Sequence, residues 1–339
     1  MTTSPLHRRR VRLAAAALTV PALFLSACGS PDTSSGGSGG GDASGAADGG
    51  TLSIATGGTG GVYYPLGGGF ATMIRDNIEG YDATVQETNA SVDNMLLIEN
   101  GSAQLAFAVG DVVSDAVEGV NDFEGNPIEI CSLGNTYNNF MQAVTVDGTG
   151  IEGVADMEGM VVSVGAPGSA TEVAALRILE AAGVDPESGV ERRQLGAAET
   201  VAALRDGTID AGFWSGGLPT GALIDLASDG DMNLLNIGEY ADQLSTEYGE
   251  YYVEEDIPAD TYEGQTEAVS AIASPNILVA SPDMDEQLQQ DITAAIFDNV
   301  EALTQVHPAA VELDAATAGD ISYIETCPGA QAYFDEAAG

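Results

Sequence analysis

Residues 55–64 read ATGGTGGVYY, directly behind the apolar run 51–54 and directly ahead of residues 65–70, where a helix can begin. Strand, glycine turn and helix together are how chains cradle anions. Glycine lets the backbone approach closely, and the exposed amides sit at the positive end of the helix dipole. Most other chemistry lacks its parts. The sequence contains no lysine, so a P-loop has no phosphate lysine. It contains two histidines, His7 and His307, and no Gly-x-Ser-x-Gly elbow follows a strand pattern, so serine-hydrolase and phosphoryl-transfer sites have nothing to be built from. A dinucleotide fingerprint fails at Tyr63, which stands where the third glycine belongs. Residues 229–233 (DGDMN) begin like a calcium loop but lack its glycine at position six and its glutamate at position twelve. Neither a cofactor nor a metal is expected, nor is catalysis. Paired carboxylates of the glycosidase kind are the one enzymatic arrangement that counting leaves open, because acids are everywhere.

The 339 residues carry 52 acidic and 9 basic side chains. Four of the arginines (Arg8, Arg9, Arg10 and Arg12) precede an apolar run over 13–25, which leaves five for the rest of the chain. Such a chain cannot hold nucleic acid by neutralising phosphates. Its 44% hydrophobic content argues for a folded protein rather than an acidic disordered one, and the missing lysine suggests a salty habitat that screens the self-repulsion. The basic start and short apolar run are an export signal, too short to span a membrane. The signal ends in Leu25, Ser26, Ala27 and Cys28, similar to a bacterial lipobox. Residues 1–27 are therefore expected to be a lipoprotein signal peptide, with Cys28 acylated and the protein anchored by lipid to the outer face of the cytoplasmic membrane. Residues 28–50, rich in Gly and Ser, form a flexible tether. Cys131 and Cys327 remain. In an exported chain two leftover cysteines suggest a disulfide, with two buried thiols as the alternative.

These residues need a scaffold. After residue 51, apolar runs at 52–55, 83–86 and 104–109 alternate with helical spacing over 65–78 and 91–100, where Leu66, Phe70, Met73 and Ile74, then Val92, Met95 and Leu96, share a face. Strands alternating with helices predict a parallel, helix-covered sheet. The pattern restarts after 140–146: a strand over 161–165, a turn, and a helix opened by the capping box of Ser169 and Glu172. Residues 192–193 fall in a loop, 209–214 and 268–280 read as strands, and 284–306 as one helix. Two such units facing each other make a cleft at the carboxyl ends of their strands.

At these positions the chain resembles the TAXI-type solute receptors of TRAP transporters. The motifs are residues 55–65 (ATGGTGGVYYP), 89–94 (NASVDN), 105–111 (LAFAVGD), 164–169 (VGAPGS), 209–213 (IDAGF) and 328–330 (PGA), in family order across nearly all of the mature chain. The resemblance implies a type II periplasmic-binding-protein fold, with two α/β lobes joined by crossing hinge strands and a ligand cleft between them. Lobe I would span 51–140 and lobe II 141–278, with C-terminal helices over 279–339 returning to lobe I. It also implies capture of a small organic anion, glutamate, glutamine or a related dicarboxylate, by a monomer that delivers it to an integral-membrane TRAP permease subunit. A sensor or adhesion lipoprotein using the same fold without transport is the alternative. The family often has His before the Pro-Gly-Ala motif. Cys327 stands there in this chain, which supports a bridge to Cys131.

The expected ligand contacts are Gly58, Thr59, Gly60, Tyr63 and Tyr64 in the first turn, Asn89, Ser91 and Asn94 at the next helix start, Tyr137 near the hinge, and Ser169, Thr171 and Trp214 from the second lobe. Ser91 and Ser169 have helix capping as their competing role, and Asp111 is read as a cap. None of Arg75, Arg177, Arg192, Arg193 and Arg205 is placed to clamp an anion. Recognition should rest on amides and hydroxyls.

Overall fold

The computed structural model describes residues 49–338. The expected signal peptide, the acylated Cys28 and the tether up to residue 48 lie outside the described residues. The chain opens with β1 (Thr51–Ala55), α1 (Tyr63–Asn77), β2 (Asp82–Gln86), α2 (Ser91–Glu99), β3 (Leu105–Val109) and α3 (Gly110–Glu118). Leu66, Phe70 and Ile74 give α1 a buried stripe at four-residue spacing. Strand β3 is buried on both faces, with Leu105 and Phe107 packed on the α1 side and Ala106 and Ala108 on the α2–α3 side.

The long β4 (Cys131–Val146) leads to β5 (Val161–Ser163), α4 (Ala170–Ala181), β6 (Glu191–Arg193), α5 (Ala197–Arg205), β7 (Ala211–Gly216) and α6 (Gly221–Ala227). Then come β8 (Met232–Leu235), α7 (Ala241–Tyr248), β9 (Val253–Ile257), β10 (Val269–Ala280), α8 (Glu286–Phe297), α9 (Val300–Val306) and α10 (Pro328–Ala337). One sheet runs in the order β2-β1-β3-β10-β4-β7-β5-β6, with β8 beside β4 and β9 beside β10. The pairs β1–β2, β1–β3, β5–β6 and β5–β7 are parallel.

Strands β4 and β10 join the two halves. Antiparallel to each other, they pair from Cys131 opposite Ala280 to Met141 opposite Ile272. β10 continues along β3 at one end and β9 at the other, while β4 continues to β7 and β8. The lobe limits expected at 140 and 278 fall inside these two strands. Alternation along β4 feeds two cores, Met141 and Ala143 packing with α4 and Phe140 and Val144 with α5 and α6.

The tail departs from the single helix expected over 284–306. It breaks at Asp298 and Asn299, because the Asn299 side chain donates to the Ala295 carbonyl at 2.9 Å while its amide turns to Ile296. α9 then lies on α1, where a Cβ on Gly69 would stand 2.9 Å from Leu303. Residues 192–193 are strand rather than loop, held as β6 by pairing with β5. Leu96 is exposed rather than packed with Val92 and Met95. A disulfide joins Cys131, at the start of β4, to Cys327, just before α10.

Candidate functional site

A cleft of about 860 Å³ opens where the two halves face each other. Its walls are the turns that follow β1 (Gly57 to Val62), β2 (Gln86 to Ala90), β5 (Ala166, Pro167 and Ser169) and β6 (Gln194 to Gly196), with Val109 ending β3 and Trp214, Ser215 and Gly216 ending β7. These are the carboxyl ends of the parallel strands on both sides. Three helices begin at the cleft with amides left open at their starts, although α4 spends the Glu172 amide on the Ser169 cap and the Gly61 amide ahead of α1 turns back to Gly58. The amides of Gly58, Thr59 and Gly60 ahead of α1, of Ala170 and Thr171 in α4, and of Ala197 and Ala198 in α5 donate to no protein acceptor among the described residues. Each such terminus stabilises a nearby anion by about 0.3–1 kcal/mol when exposed and up to ~2 when partly buried.

Of the residues expected from the sequence, Gly58, Thr59, Gly60, Tyr63, Asn89, Tyr137, Ser169, Thr171 and Trp214 line this cleft. Tyr64, Ser91 and Asn94 do not. Asn94 is buried and braces the sheet instead, donating to the carbonyls of Thr56 and Phe107 at 2.7 and 2.8 Å and accepting from Thr88. Ser91 is buried, and its hydroxyl accepts the Val109 amide at 3.3 Å. The start of α2 is engaged across the seam: the amides of Val92 and Asp93 donate to Gly168 of the second half at 3.1 and 3.4 Å. Ser169 lines the cleft but is occupied as a cap, accepting from Glu172 and donating to Ala166. The Glu172 carboxylate takes the Gly168 amide, one residue before the position a capping box requires.

The sequence hides the third helix start, at Gly196, because residues 192–193 read as loop and conceal the strand–turn–helix unit. It also hides the charge of the walls. Among the described residues the lining includes Glu87, Asp93 and Glu199 and no arginine or histidine. Tyr63 and Tyr137 are pushed up in pKa by burial, so both keep their hydroxyl protons through the physiological range.

The arginines lie elsewhere. Arg75 is half-exposed beside Asp76. Arg192, Arg193 and Arg205 pair with Glu187, Glu191 and Asp229 at the surface. Arg177 is buried and donates to Asp115 at 2.9 Å and to the Tyr252 hydroxyl at 2.9 Å, with Asp111 3.5 Å away. Asp111 lies inside the first turn of α3 and is not its cap, a position that falls to Val109; it accepts from the Val112 amide and from Tyr252. Its carboxylate is committed to this cluster.

The halves touch around the cleft. Ala222 donates to the Gly60 carbonyl at 3.3 Å, and the Trp214 ring, held by its Nε1 bond to Thr220 at 3.1 Å, lies against Gly61. A Cβ at Gly61 would stand 2.9 Å from that ring. Gly61→Ala should therefore hold the halves apart and weaken solute binding about tenfold, equivalent to ~1.4 kcal/mol. Melting temperature without solute should hardly move. Isothermal titration of both proteins checks this, and equal affinities would mean that the ring is not a closing contact.

A mixed parallel sheet crossed by two long antiparallel strands, with a cleft at the carboxyl ends, defines the fold of type II periplasmic binding proteins. MatC from Rhodopseudomonas palustris with bound malate superposes with a TM-score of 0.54 at 10% identity, covering 77% of this chain and 88% of that one. The alkanesulfonate-binding protein SsuA from Xanthomonas axonopodis pv. citri bound to MOPS gives a TM-score of 0.50 at 15% identity, covering 84% and 83%. The chain belongs to the NMT1-like family, whose model matches residues 54–338. Among the described residues, no helix is long and apolar enough to cross a membrane.

Proposed function

We propose that this chain is the extracytoplasmic receptor of a TRAP-type importer, a lipid-anchored protein on the outer face of the cytoplasmic membrane. It captures a small organic anion between its lobes and delivers it to the permease. The observation that carries this reading is the cleft itself, ringed by three helix starts with open amides and, among the described residues, without a side-chain cation. In it a carboxylate is held by amides and by the hydroxyls of Thr59 and Thr171. The family and the fold support a solute receptor, and the TAXI-type motifs support the TRAP partner.

Glu87, Asp93 and Glu199 refine it. Their field opposes a solute whose only charges are negative and favours one that also carries an ammonium group. Glutamate and glutamine fit better than dicarboxylates without an amine. The experiment is a thermal-shift screen of the full-length chain in mild detergent and molar salt, against glutamate, glutamine, 2-oxoglutarate, hydroxyglutarate and C4-dicarboxylates. A solute at a hundred times its Kd should add about 2.7 kcal/mol to stability. Glutamate is expected to raise the melting temperature more than 2-oxoglutarate at equal concentration. No rise with any compound at any salt would overturn the reading.

A further inference from the structure

Four polar side chains stand together on the crossing ladder. In its register Tyr137 of β4 lies opposite Asn276 of β10, and Asn139 lies opposite Ser274. Residues two apart on a strand share a face, so all four project from the same side of the sheet. They are 1%, 0%, 1% and 7% exposed in that order. Among the described residues, the Tyr137 hydroxyl, Asn139 Oδ1, Ser274 Oγ and both polar side-chain atoms of Asn276 have no hydrogen bond of normal geometry, although the Tyr137 hydroxyl stands near the Asn276 side chain. Asn139 Nδ2 alone is engaged, donating to the Tyr63 hydroxyl at 3.2 Å.

Buried polar groups are nearly always partnered, so several orphans in one patch call for an explanation. Their location supplies one. Tyr137 lines the cleft. Asn139 and Ser274 line a cavity of about 10 Å³, the room of a single water, and that cavity shares Val109, Ala170 and Ser215 with the cleft as a common wall. α4 of the second half covers it with Ala170, Ala174 and Ile178. The patch thus lies at the seam, where spreading the halves lets water in and closing them removes it.

We propose that Tyr137, Asn139, Ser274 and Asn276 form the floor of the solute site and select, directly or through one trapped water, an uncharged hydrogen-bonding group at the far end of the solute. The four side chains carry donors and acceptors but no charge. Carboxylates beside the patch are Asp111, which lines the small cavity with Arg177 3.5 Å from it, and Glu312, which accepts the Asn138 amide. A second carboxylate would meet negative charge there, and a methyl group would leave the orphans unpaired. A carboxamide or hydroxyl satisfies both demands. This inference rests on the cleft being a solute site.

The test uses two series of acids matched in length and differing only at the far end: glutamine, glutamate and norvaline, and glutaramate, glutarate and pentanoate. Titrated into the full-length chain in molar salt, the carboxamide of at least one series should bind tenfold or more tighter than its carboxylate and methyl counterparts. Tyr137→Phe with Ser274→Ala removes two hydroxyls and little volume. It should cut that preference at least fivefold, by weakening the carboxamide compound and by tightening the methyl compound, which no longer leaves those two hydroxyls unpaired. Binding without a carboxamide preference, or a preference the double variant keeps, would overturn the floor assignment and leave the receptor reading standing. Failure of every compound to bind the unaltered chain would overturn both.

Discussion

Arg177→Met should lower stability by about 3–5 kcal/mol at pH 7 and return part of that loss as the pH falls. The first half of the expectation follows from burial. Arg177, Asp111 and Asp115 have side chains no more than 9% exposed, and methionine would leave two carboxylates buried without their cation. The second half follows from proton linkage. Burial already pushes the pKa of Asp111 and of Asp115 above the usual carboxylate range, against the pull of Arg177. Removing the guanidinium raises both further. A group whose folded pKa lies above its unfolded value binds more protons folded than unfolded between the two, so stability falls as pH rises through that window. The deficit grows as the pH rises from about 4, the ordinary carboxylate value, through the raised folded pKa values, and it shrinks as the pH drops back toward about 4. Because fewer charges also relieve the repulsion of so acidic a chain, the quantity to follow is the difference between variant and unaltered protein. Urea unfolding at pH 7 and pH 5 measures it, and an equal deficit at both would assign the loss to packing. Since α3 carries both aspartates and α4 the arginine, the cluster crosses the seam between the halves. The variant should also bind solute more weakly, although Arg177 does not line the cleft.

The legible parts of this molecule were those written in local pattern. Glycines 57, 58, 60 and 61 before an apolar face, and Ser169 three residues before Glu172, announce strand, turn and helix without any partner, and the structure builds both units. What could not be read depended on tertiary partners. Residues 191–193, Glu-Arg-Arg, have no apolar alternation and become a strand only because β5 offers an edge. Asn94 and Ser91 have the chemistry of ligand contacts, but the open carbonyls and amides of Thr56, Phe107 and Val109 use them as internal braces. The floor quartet was invisible for a related reason. Tyr137 and Asn276 lie 139 positions apart in the sequence, and only the β4–β10 register brings them together. Charge behaved the same way: acids everywhere along the chain say nothing until the fold selects Glu87, Asp93 and Glu199 for one wall.

Converting Cys131 and Cys327 together to alanine should cost about 3–5 kcal/mol, and the loss should arise mainly in the unfolded state. The bond closes a loop between residues 196 positions apart. Chain-entropy arguments give roughly 5 kcal/mol for a loop of that order, at the upper end of what disulfides deliver. In the folded state the same junction is held independently of the sulfurs. The Cys327 amide donates to Ser132 at 2.8 Å and the Ser132 amide to Glu325 at 2.9 Å, while Ala330 and Phe334 of α10 are buried with Phe297 of α8. The variant should therefore keep its fold and its solute affinity within about twofold, because the bond lies away from the cleft. Its unfolded chain, freed of the crosslink, exposes more surface, so the urea m-value should rise while the midpoint falls. Urea titration followed by circular dichroism separates the two contributions. A lower midpoint with an unchanged m-value would place the stabilisation in native packing around the sulfurs. Loss of solute binding in the folded variant would mean that the tail, through β4 and the crossing ladder, also sets the geometry of the cleft.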